Sequence, residues 1–578
     1  MGKRFRVIKT FRSAPTWTEK YFWAITGLTL FYLLLVILFQ GYRLSLFGFE
    51  SVLVRFVELL VSLGIITEAL INQVLFPLPE GTKRRRWIAL SLALLILLAA
   101  IFHRFVLPFI LIYQILVVGN RLSRAGVTAG LINSLRQRSF YSLLLSFAGL
   151  IALGTFFLTL PAATTDGRGA SFIDSLFTAT SATCVTGLIV RDTGSYFSRF
   201  GQIIILALIQ LGGLGIMTFS TSMAVLLGHR LALGERRLVA EMIETPRETD
   251  IVRAIRYILL FTLLAEGTGC LLLFLRWLPV FPNTAGAFYY ALFHAVSAFC
   301  NAGFSLFADS LIRYQGDLMV NFVFIGLIVS GGLGFAVVHE LISRDTLRQP
   351  WRQTVRHISV HSRLALTTTF LLIVIGTVVF FFIEYDRTLT NLPVGTKLLA
   401  SLFQSVTART AGFNTIPIGS LHQATMLVII ILMFIGASPG GTGGGIKTTT
   451  FAILLLALRA WLSNRKAIII GRRTIPQDAV FRAIVITVAA TVAIVIILFL
   501  LLITESGRFQ ELLFETVSAF GTVGLSTGIT SGLKTLARFG IILLMFTGRV
   551  GPLTIALAMT RRETKYPITY PQARIMVG

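Results

Sequence analysis

Charged residues are scarce in this chain and acidic residues are scarcer still: 13% of the residues are charged, with 25 Asp and Glu against 51 Lys and Arg. Hydrophobic residues make up 55% of the 578 residues, a balance that excludes a soluble globular protein. The apolar residues form long runs rather than alternating segments of about ten residues, which excludes an outer-membrane β-barrel. We therefore expect an all-α polytopic membrane protein.

The chain also has few cysteines. Cys184, Cys270 and Cys300 lie in or beside apolar stretches and show no spacing typical of disulfide frameworks or metal sites. No set of a nucleophile with a neighbouring base is apparent. We expect no enzymatic activity, no bound cofactor and no metal beyond a transported ion.

The net charge of +26 could suggest a nucleic-acid partner, but most Lys and Arg lie in short segments between apolar runs. Examples are residues 1–12, the run 83–86 and the linkers 229–256, 344–363 and 459–482. Basic segments of this kind orient membrane helices, because cytoplasmic loops carry the excess of positive charge. The pattern favours cytoplasmic N- and C-termini and no nucleic-acid partner.

One short pattern occurs four times. A Phe opens an apolar and hydroxyl-bearing run, Ser or Thr followed by Ala comes next, and a Gly closes the segment. The copies are FTATSATCVTGL from Phe177, FHAVSAFCNAGF from Phe293, FQSVTARTAGFN from Phe403 and FETVSAFGTVGLST from Phe514. A single Gly beside small residues is usually a helix-packing contact in membranes, but four matching copies indicate an internal repeat.

Each copy predicts a short helix followed by a turn that re-enters the membrane. Glycine tolerates backbone angles that aim a carbonyl at a shared axis, and four such turns could replace the water shell of a cation. The candidate selectivity-filter residues are Val185, Thr186, Gly187, Asn301, Ala302, Gly303, Thr410, Ala411, Gly412, Thr522, Val523 and Gly524.

The apolar runs around these turns predict four repeats of helix, re-entrant segment and helix about a central pore. The predicted repeats span residues 139–228, 250–345, 362–465 and 480–562. Residues 1–125 are expected to form an additional N-terminal transmembrane block of about four helices, and 563–578 a short cytoplasmic C-terminus.

The second long helix of the third repeat is interrupted by IGASPGGTGGGIKTTT. Pro and Gly break the helical hydrogen-bond ladder, and broken backbone at membrane depth is tolerated where it is buried or lines a watery cavity. We expect residues 436–448 to form an intramembrane gate below the filter. The candidate gate residues are Ser438, Pro439, Gly440, Gly441, Thr442, Gly443, Gly444, Gly445 and Lys447. A nucleotide-binding P-loop is disfavoured, because Ile446 separates the glycines from the lysine.

Arg549 is a cation deep within the last apolar span. In one interpretation it lines the pore, contacts the gate and limits the dwell of a cation below the filter. In the other it pairs with an acid or reaches the cytoplasmic interface. Its depth favours the first. Glu266 and Glu340 are expected to be structural partners or interfacial residues.

Together these residues carry a family resemblance: from about Ser139 onward, the chain resembles the Trk/Ktr/HKT superfamily of potassium transporters. The matching motifs are TCVTGL with DTG at 192–194, CNAGF at 300, ARTAGFN at 408, TVGLSTG at 522, the interrupted GASPGGTGGGIKTTT and Arg549. The chain end, YPQARIMVG, is more similar to the Ktr-type membrane subunit than to the longer Trk type. The region before about residue 120 departs from that pattern.

The resemblance implies four pseudo-symmetric repeats around one permeation path, a homodimer in the bacterial plasma membrane, and a cytoplasmic ring of nucleotide-binding RCK/KTN regulatory subunits. Members with Gly at all four filter positions, as here, select potassium, whereas some plant members have Ser in the first loop.

The expected function is K⁺ uptake, with Na⁺ as a modulator or co-ion. The alternatives are a Na⁺-coupled K⁺ symporter or a Na⁺-selective carrier of the same architecture. A further alternative makes the N-terminal block a sensor or partner-binding module.

Overall fold

The computed structural model describes residues 16–42, 50–74, 110, 139–215, 251–342, 358–465, 467–470 and 473–551. Within these residues the regular structure is almost entirely helical, which confirms the all-α class. The exception is an antiparallel hairpin of β1 (Ile468–Ile470) and β2 (Arg473–Ile475), in which Ile469 faces Thr474. This hairpin lies in the basic linker before the last repeat and was not predicted.

The helices are α1 (Thr16–Val36), α2 (Glu50–Val74), α3 (Ser139–Leu158), α4 (Phe172–Thr183), α5 (Arg199–Leu214), α6 (Ile251–Trp277), α7 (Thr284–Phe299), α8 (Leu318–Gly332), α9 (Phe335–Ile342), α10 (Val360–Glu384), α11 (Val394–Thr407), α12 (Gln423–Phe434), α13 (Thr448–Leu462), α14 (Gln477–Thr504), α15 (Phe509–Gly521) and α16 (Thr535–Val550). The predicted helices within 87–119, most of the linkers 229–256 and 344–363, and the C-terminus 563–578 lie outside the described residues.

From residue 139 the described helices form four groups, each with a long helix, a short helix and a third helix. Three of the long helices contain apolar stretches of sufficient length to cross a membrane: Tyr257–Trp277, Val360–Glu384 and Gln477–Thr504. The short helices are α4, α7, α11 and α15. Each packs against the long helix that precedes it and against the third helix that follows, or, for α11, against the neighbouring α8.

The short helices are buried along most of their length, in contrast to the long helices whose outer faces are exposed. Side chains cap the first two: Ser171 accepts a hydrogen bond from the Asp174 amide at 3.2 Å, and Asn283 accepts one from the Gly286 amide at 2.5 Å. Buried phenylalanines fill the space around them, among them Phe177, Phe293, Phe403 and Phe514. The Phe that opens each copy of the repeated pattern is thus a core residue.

The third helix is interrupted in the second and third groups. The break predicted for the third repeat is present between α12 and α13. A second break separates α8 from α9, where Gly334 has φ +90°. For the repeat 250–345 one continuous helix was expected after the re-entrant segment, and that expectation is wrong because Gly334 adopts a conformation that a helix does not contain.

At the N-terminus, α1 and α2 pack into a helical pair with a small core of its own, including Ile25, Tyr32, Val61 and Ile65. A π-helical turn at Ile37–Gly41 follows α1. Gly41 lies beside Leu160 at the end of the first long helix of the repeats. The pair therefore abuts the first group of helices.

Candidate functional site

The four predicted filter loops, 185–187, 301–303, 410–412 and 522–524, share one unusual backbone conformation. Each closing glycine has a positive φ: +91° at Gly187, +71° at Gly303, +79° at Gly412 and +90° at Gly524. The residue two positions earlier also has a positive φ, although it carries a side chain: Val185, Asn301, Thr410 and Thr522. Non-glycine residues rarely adopt this conformation, so its presence in all four loops marks a shared, strained geometry.

The four loops also meet one another in a closed ring. A Cβ placed on Gly187 would lie closer than 3.0 Å to the carbonyl oxygen of Ala302 in the second loop. The same holds for Gly303 against Ala411, for Gly412 against Val523 and for Gly524 against Thr186. Each glycine therefore touches the next loop, and the fourth returns to the first. We call this arrangement the filter ring.

The Ser or Thr in each copy of the pattern ties its short helix to the loop that follows. Ser181 Oγ accepts a hydrogen bond from the Gly187 amide at 3.0 Å, and Ser518 Oγ accepts one from the Gly524 amide at 3.1 Å. Ser297 donates instead to the Phe304 carbonyl at 2.8 Å, and Thr407 donates to the Phe413 carbonyl at 2.6 Å. These bonds account for the hydroxyl in the repeated pattern.

A glycine on the third helix lies directly behind the short helix in three of the groups. A Cβ at Gly212, Gly331 or Gly548 would lie closer than 3.0 Å to a carbonyl oxygen near the end of the short helix of the same group. The carbonyls belong to Thr183, Phe299 and Phe520. The third helices therefore support the filter ring by close backbone contact, which only small residues permit.

The chain leaving the ring is held by buried polar side chains that the sequence analysis missed. Glu515, fully buried, accepts hydrogen bonds from Ser526 Oγ at 2.5 Å, from the Thr527 amide at 2.9 Å and from Thr530 Oγ1 at 2.7 Å. Burial of a carboxyl is tolerated where several donors surround it. Glu515 therefore fixes the loop that follows Gly524.

His294 occupies the matching position in the second repeat, nine residues before its glycine. Its Nδ1 lies 2.8 Å from the Tyr290 carbonyl and therefore carries the proton. Its Nε2 accepts from the Leu306 amide at 3.3 Å and lies 3.1 Å from Ser305 Oγ. His294 thus holds the outgoing loop as a neutral imidazole. The matching offset in Glu515 and His294 is the sequence signal that could have identified both.

The glycine-rich loop, 436–448, lies against the filter ring. The Gly444 amide donates to Thr522 Oγ1 at 3.0 Å, and a Cβ at Gly443 would lie closer than 3.0 Å to Thr410 Oγ1. Thr442 Oγ1 donates to the Phe299 carbonyl at 3.2 Å. The loop therefore contacts parts of the second, third and fourth repeats at once.

The loop is also joined to the break between α8 and α9. The Ser438 amide donates to the Gly332 carbonyl at 3.0 Å, the Thr442 amide to the Gly331 carbonyl at 3.0 Å, and the Phe335 amide to the Gly440 carbonyl at 3.2 Å. The two interrupted helices, from the second and third repeats, thus satisfy each other's free backbone groups.

Lys447 and Arg549, the two predicted cations of this region, are held by backbone carbonyls. Lys447 Nζ donates to the Gly443 carbonyl at 2.7 Å. Arg549 donates to the carbonyls of Thr442 and Gly212 and to that of Gly213 at 3.4 Å. Its guanidinium links α16, the glycine-rich loop and the end of α5, where the helix dipole favours a positive charge. Among the described residues, neither cation has a carboxylate partner.

Glu266 and Glu340, the weaker candidates, contact neighbouring elements. Glu266 accepts from Gln210 Nε2 on α5 at 3.2 Å. Glu340 accepts from the Ser359 amide at 2.6 Å and from its hydroxyl at 2.8 Å, at the start of α10. Both side chains join one repeat to the next.

On the other side of the ring, Asp174 joins the first repeat to the fourth. Its carboxylate, almost fully buried, lies 2.5 Å from Arg538 Nη1 on α16 and 3.0 Å from Arg191 Nε. Arg538 also donates to the Leu533 and Ser531 carbonyls. The ion pair closes the circle of repeats at the same junction as the contact between Gly524 and the first loop.

Comparison with known proteins shows similarity to cation transporters along most of the chain. The sequence model of the TrkH family, described as a cation transport protein, matches residues 143–565. The Ktr system potassium uptake protein B of Bacillus subtilis is 40% identical over 75% of this chain and 96% of its own length. Its counterpart in Vibrio alginolyticus is 39% identical over 75% and 94%. The potassium/sodium uptake protein NtpJ of Enterococcus hirae is 35% identical over 74% and 95%.

The fold is similar to a known crystal structure. The potassium transporter TrkH from Vibrio parahaemolyticus matches with a TM-score of 0.58 over 88% of this chain and 97% of its own. The two are 18% identical in sequence, so this likeness concerns the fold alone.

Proposed function

The chain belongs to the TrkH family of cation transport proteins, and from this premise we propose that it takes up K⁺ across the bacterial plasma membrane through the filter ring. The inward movement of one charge releases about 2.3 kcal/mol per 100 mV of membrane potential. The membrane potential therefore supplies the energy for uptake without a coupled chemical reaction, and the protein has to provide a path for the ion and a gate.

The closed contact of the four filter loops is the observation that carries this proposal. A dehydrated cation needs carbonyl oxygens on all sides, and loops from four repeats surround one axis only if each touches its neighbours. The glycines let the loops approach closely, because any Cβ at these positions would meet a carbonyl oxygen of the next loop. We assign the carbonyls of the filter loops as the ligands of the transported ion.

The glycine-rich loop supplies the gate in this proposal. The loop contacts Thr522 and the Phe299 carbonyl beside the ring. We assign it to the cytoplasmic side of the ring, where Lys447 and Arg549 add positive charge. A cation leaving the ring would meet this charge, so the loop must move for ions to pass. Arg549 holds the loop to α5 and would have to release at least one of its carbonyls when the gate opens.

The proposal extends to the assembly. We infer a homodimer whose cytoplasmic side binds a ring of RCK/KTN regulatory subunits, in keeping with relatives that are named as parts of a Ktr system. The alternative function is Na⁺-coupled K⁺ symport or Na⁺-selective transport. It is favoured by one observation, the 35% identity to a protein named for potassium and sodium uptake.

Uptake by the purified protein in liposomes tests the function. We expect saturable K⁺ and Rb⁺ flux and weak Na⁺ flux, measured with and without Na⁺ on both sides. Na⁺ flux of equal size, or K⁺ flux that requires Na⁺, would replace the proposal with one of the alternatives.

Shortening the loop within 440–445 tests the gate. Removal of glycines should pull the loop away from Thr522 and raise K⁺ flux in the absence of the regulatory subunit. K⁺ flux equal to that of the intact protein would show that the loop is a packing element and not a gate.

A further inference from the structure

Basic residues surround the hairpin of β1 and β2, which joins the third repeat to the fourth. The segment 459–482 contains one acid, Asp478, which is exposed in the first turn of α14. Its basic residues are Arg459, Arg465, Lys466, Arg472, Arg473 and Arg482. The arginines at 459, 465, 473 and 482 are exposed. Among the described residues, no carboxylate lies within ion-pair distance of these four.

Large apolar side chains are exposed among these arginines. The exposed fraction is 77% for Trp461 at the end of α13, 59% for Ile469 on β1 and 69% for Phe481 at the start of α14. The hairpin stays beside the end of α13, because β1 contacts that helix and the Arg465 amide donates to the Ala460 carbonyl at 2.8 Å. We call the hairpin, together with the adjoining ends of α13 and α14, the basic hairpin region.

The helix α14 sets the depth of this region in the membrane. Residues 483–504 carry no charged side chain, and as a helix they extend about 33 Å, close to the roughly 30 Å of the hydrocarbon core. Arg482, directly before them, therefore lies at the level of the lipid headgroups. Since β2 ends at Ile475 and α14 begins at Gln477, the hairpin lies at this level or just beyond it. Trp461 agrees with this depth, because Trp is enriched at membrane–water interfaces.

Exposed arginines beside exposed apolar side chains match the two parts of a phospholipid at this depth. Guanidinium groups donate strongly to phosphate, and clusters of Lys and Arg next to a membrane helix attract anionic headgroups. A soluble partner would have to cover Trp461 and Phe481 at the depth of the headgroups, which the bilayer itself occupies. We propose that the basic hairpin region binds anionic phospholipids of the cytoplasmic leaflet.

The bound lipids would hold one end of the gate. The helix α13 runs without a break from Thr448, next to the glycine-rich loop, to Leu462, next to the hairpin. Lipids that fix the far end of α13 would therefore restrain the loop at its near end. This effect on transport rests on the proposed function, but lipid binding does not.

A fluorescent label on the hairpin tests the binding. Cys184, Cys270 and Cys300 are buried, so a bimane label attaches selectively to Thr474→Cys, at an exposed position of β2, in the full chain. Phosphatidylcholine nanodiscs receive the same fraction of lipid with a nitroxide near its headgroup, carried either by phosphatidylglycerol or by phosphatidylcholine. We expect phosphatidylglycerol to quench bimane with a constant about fivefold larger or more, since each arginine near an anionic surface contributes about that factor.

Variants show whether the arginines cause this preference. Arg465→Gln/Arg473→Gln should bring the ratio of the two quenching constants closer to one, whereas the control Arg313→Gln/Arg508→Gln, which removes exposed arginines from loops within the repeats, should not change it. Raised ionic strength should also lower the ratio in the protein without these changes, which keeps the test open if a variant does not fold. Equal quenching by the two lipids in that protein would overturn the proposal. Quenching by neither lipid would also overturn it and would leave the hairpin to a soluble partner.

Rb⁺ uptake into liposomes without a regulatory subunit tests the consequence. The ratio of uptake with phosphatidylglycerol to uptake in phosphatidylcholine alone should be higher for Arg465→Gln/Arg473→Gln than for the wild type and the control. The effect of surface charge on local Rb⁺ concentration is the same for all three proteins. Equal ratios would refute the influence on the gate. Preferential quenching by phosphatidylglycerol without any K⁺ or Rb⁺ flux would instead refute the proposed function, so the two failures are distinguishable.

Discussion

Replacing Gly524 with alanine would put a Cβ closer than 3.0 Å to the Thr186 carbonyl oxygen across the junction of the fourth and first loops. The Gly524 φ of +90° is also one that alanine adopts poorly. At Gly303 the same substitution is milder, because φ is +71° and the nearest atom, the Ala411 carbonyl oxygen, is 2.9 Å away. The structure therefore predicts unequal effects at two positions that look alike in the sequence.

The magnitudes follow from the two penalties. The left-handed conformation costs alanine about 1–2 kcal/mol, and this is the main penalty at Gly303. At Gly524 overpacking against the carbonyl adds about 1–3 kcal/mol. If the loop relieves the strain by moving out of the ring, only the fraction of molecules with an intact ring binds K⁺, and the apparent K⁺ affinity falls by that fraction. We expect a loss of about 5–30-fold for Gly303→Ala and about 30-fold or more for Gly524→Ala.

The assay is the K⁺ concentration dependence of Rb⁺ and K⁺ uptake in liposomes, with the K⁺ over Na⁺ flux ratio measured alongside. Gly532→Ala is the matched control, since Gly532 lies a few residues beyond the same loop and has open space around its Cα. It should behave as the wild type. Wild-type affinity in Gly524→Ala, or a larger loss in Gly303→Ala than in Gly524→Ala, would refute the ring geometry as the basis of ion binding.

Three further predictions concern the supports of the ring. Ser518→Ala leaves the buried Gly524 amide without its acceptor, at a cost of about 1–3 kcal/mol, and should lower the K⁺ over Na⁺ flux ratio. Ser518→Thr should restore the ratio, and equal ratios in the wild type and both variants would contradict the role of the hydroxyl. Arg549→Gln should raise K⁺ flux in the absence of a regulatory subunit, because the link between the glycine-rich loop and α5 is weakened; unchanged or lower flux would count against a restraining role. Asp174→Asn breaks a buried ion pair and should lower the free energy of unfolding by up to about 3–5 kcal/mol. Asp309→Asn breaks an exposed pair with Arg313 and should lower it by about 0–1 kcal/mol. Similar melting temperatures for the two variants would refute the importance of the Asp174 junction.

The helical class and the positions of the short helices could be predicted because they depend on local sequence. Long apolar runs indicate helices, and a repeated Phe, hydroxyl and Gly pattern indicates turns that need glycine. The positive φ of Gly187 and its three counterparts agrees with that reasoning.

Other features could not be predicted, because they depend on contacts between distant parts of the chain. Val185 is β-branched, and nothing in its local sequence indicates a φ of +56°. The break at Gly334 becomes favourable because the glycine-rich loop supplies hydrogen-bond partners a hundred residues later in the chain. For Arg549 the sequence favoured a pore-lining cation that contacts the gate over one that pairs with an acid or reaches the interface. Neither interpretation indicates its partners at the end of α5, which are carbonyls that only the fold brings close.

The filter ring has all four of its corners on one polypeptide. A ring of identical subunits changes at every corner with each mutation, but in the proposed filter a substitution alters one quarter of the ion's surroundings and leaves three quarters as they were. The corners already differ, since Cys184, Cys300, Arg409 and Gly521 stand at corresponding places behind the four loops. In the proposed filter, ion preference can therefore be adjusted at one loop at a time, and an experimenter can examine each loop separately without linking subunits together.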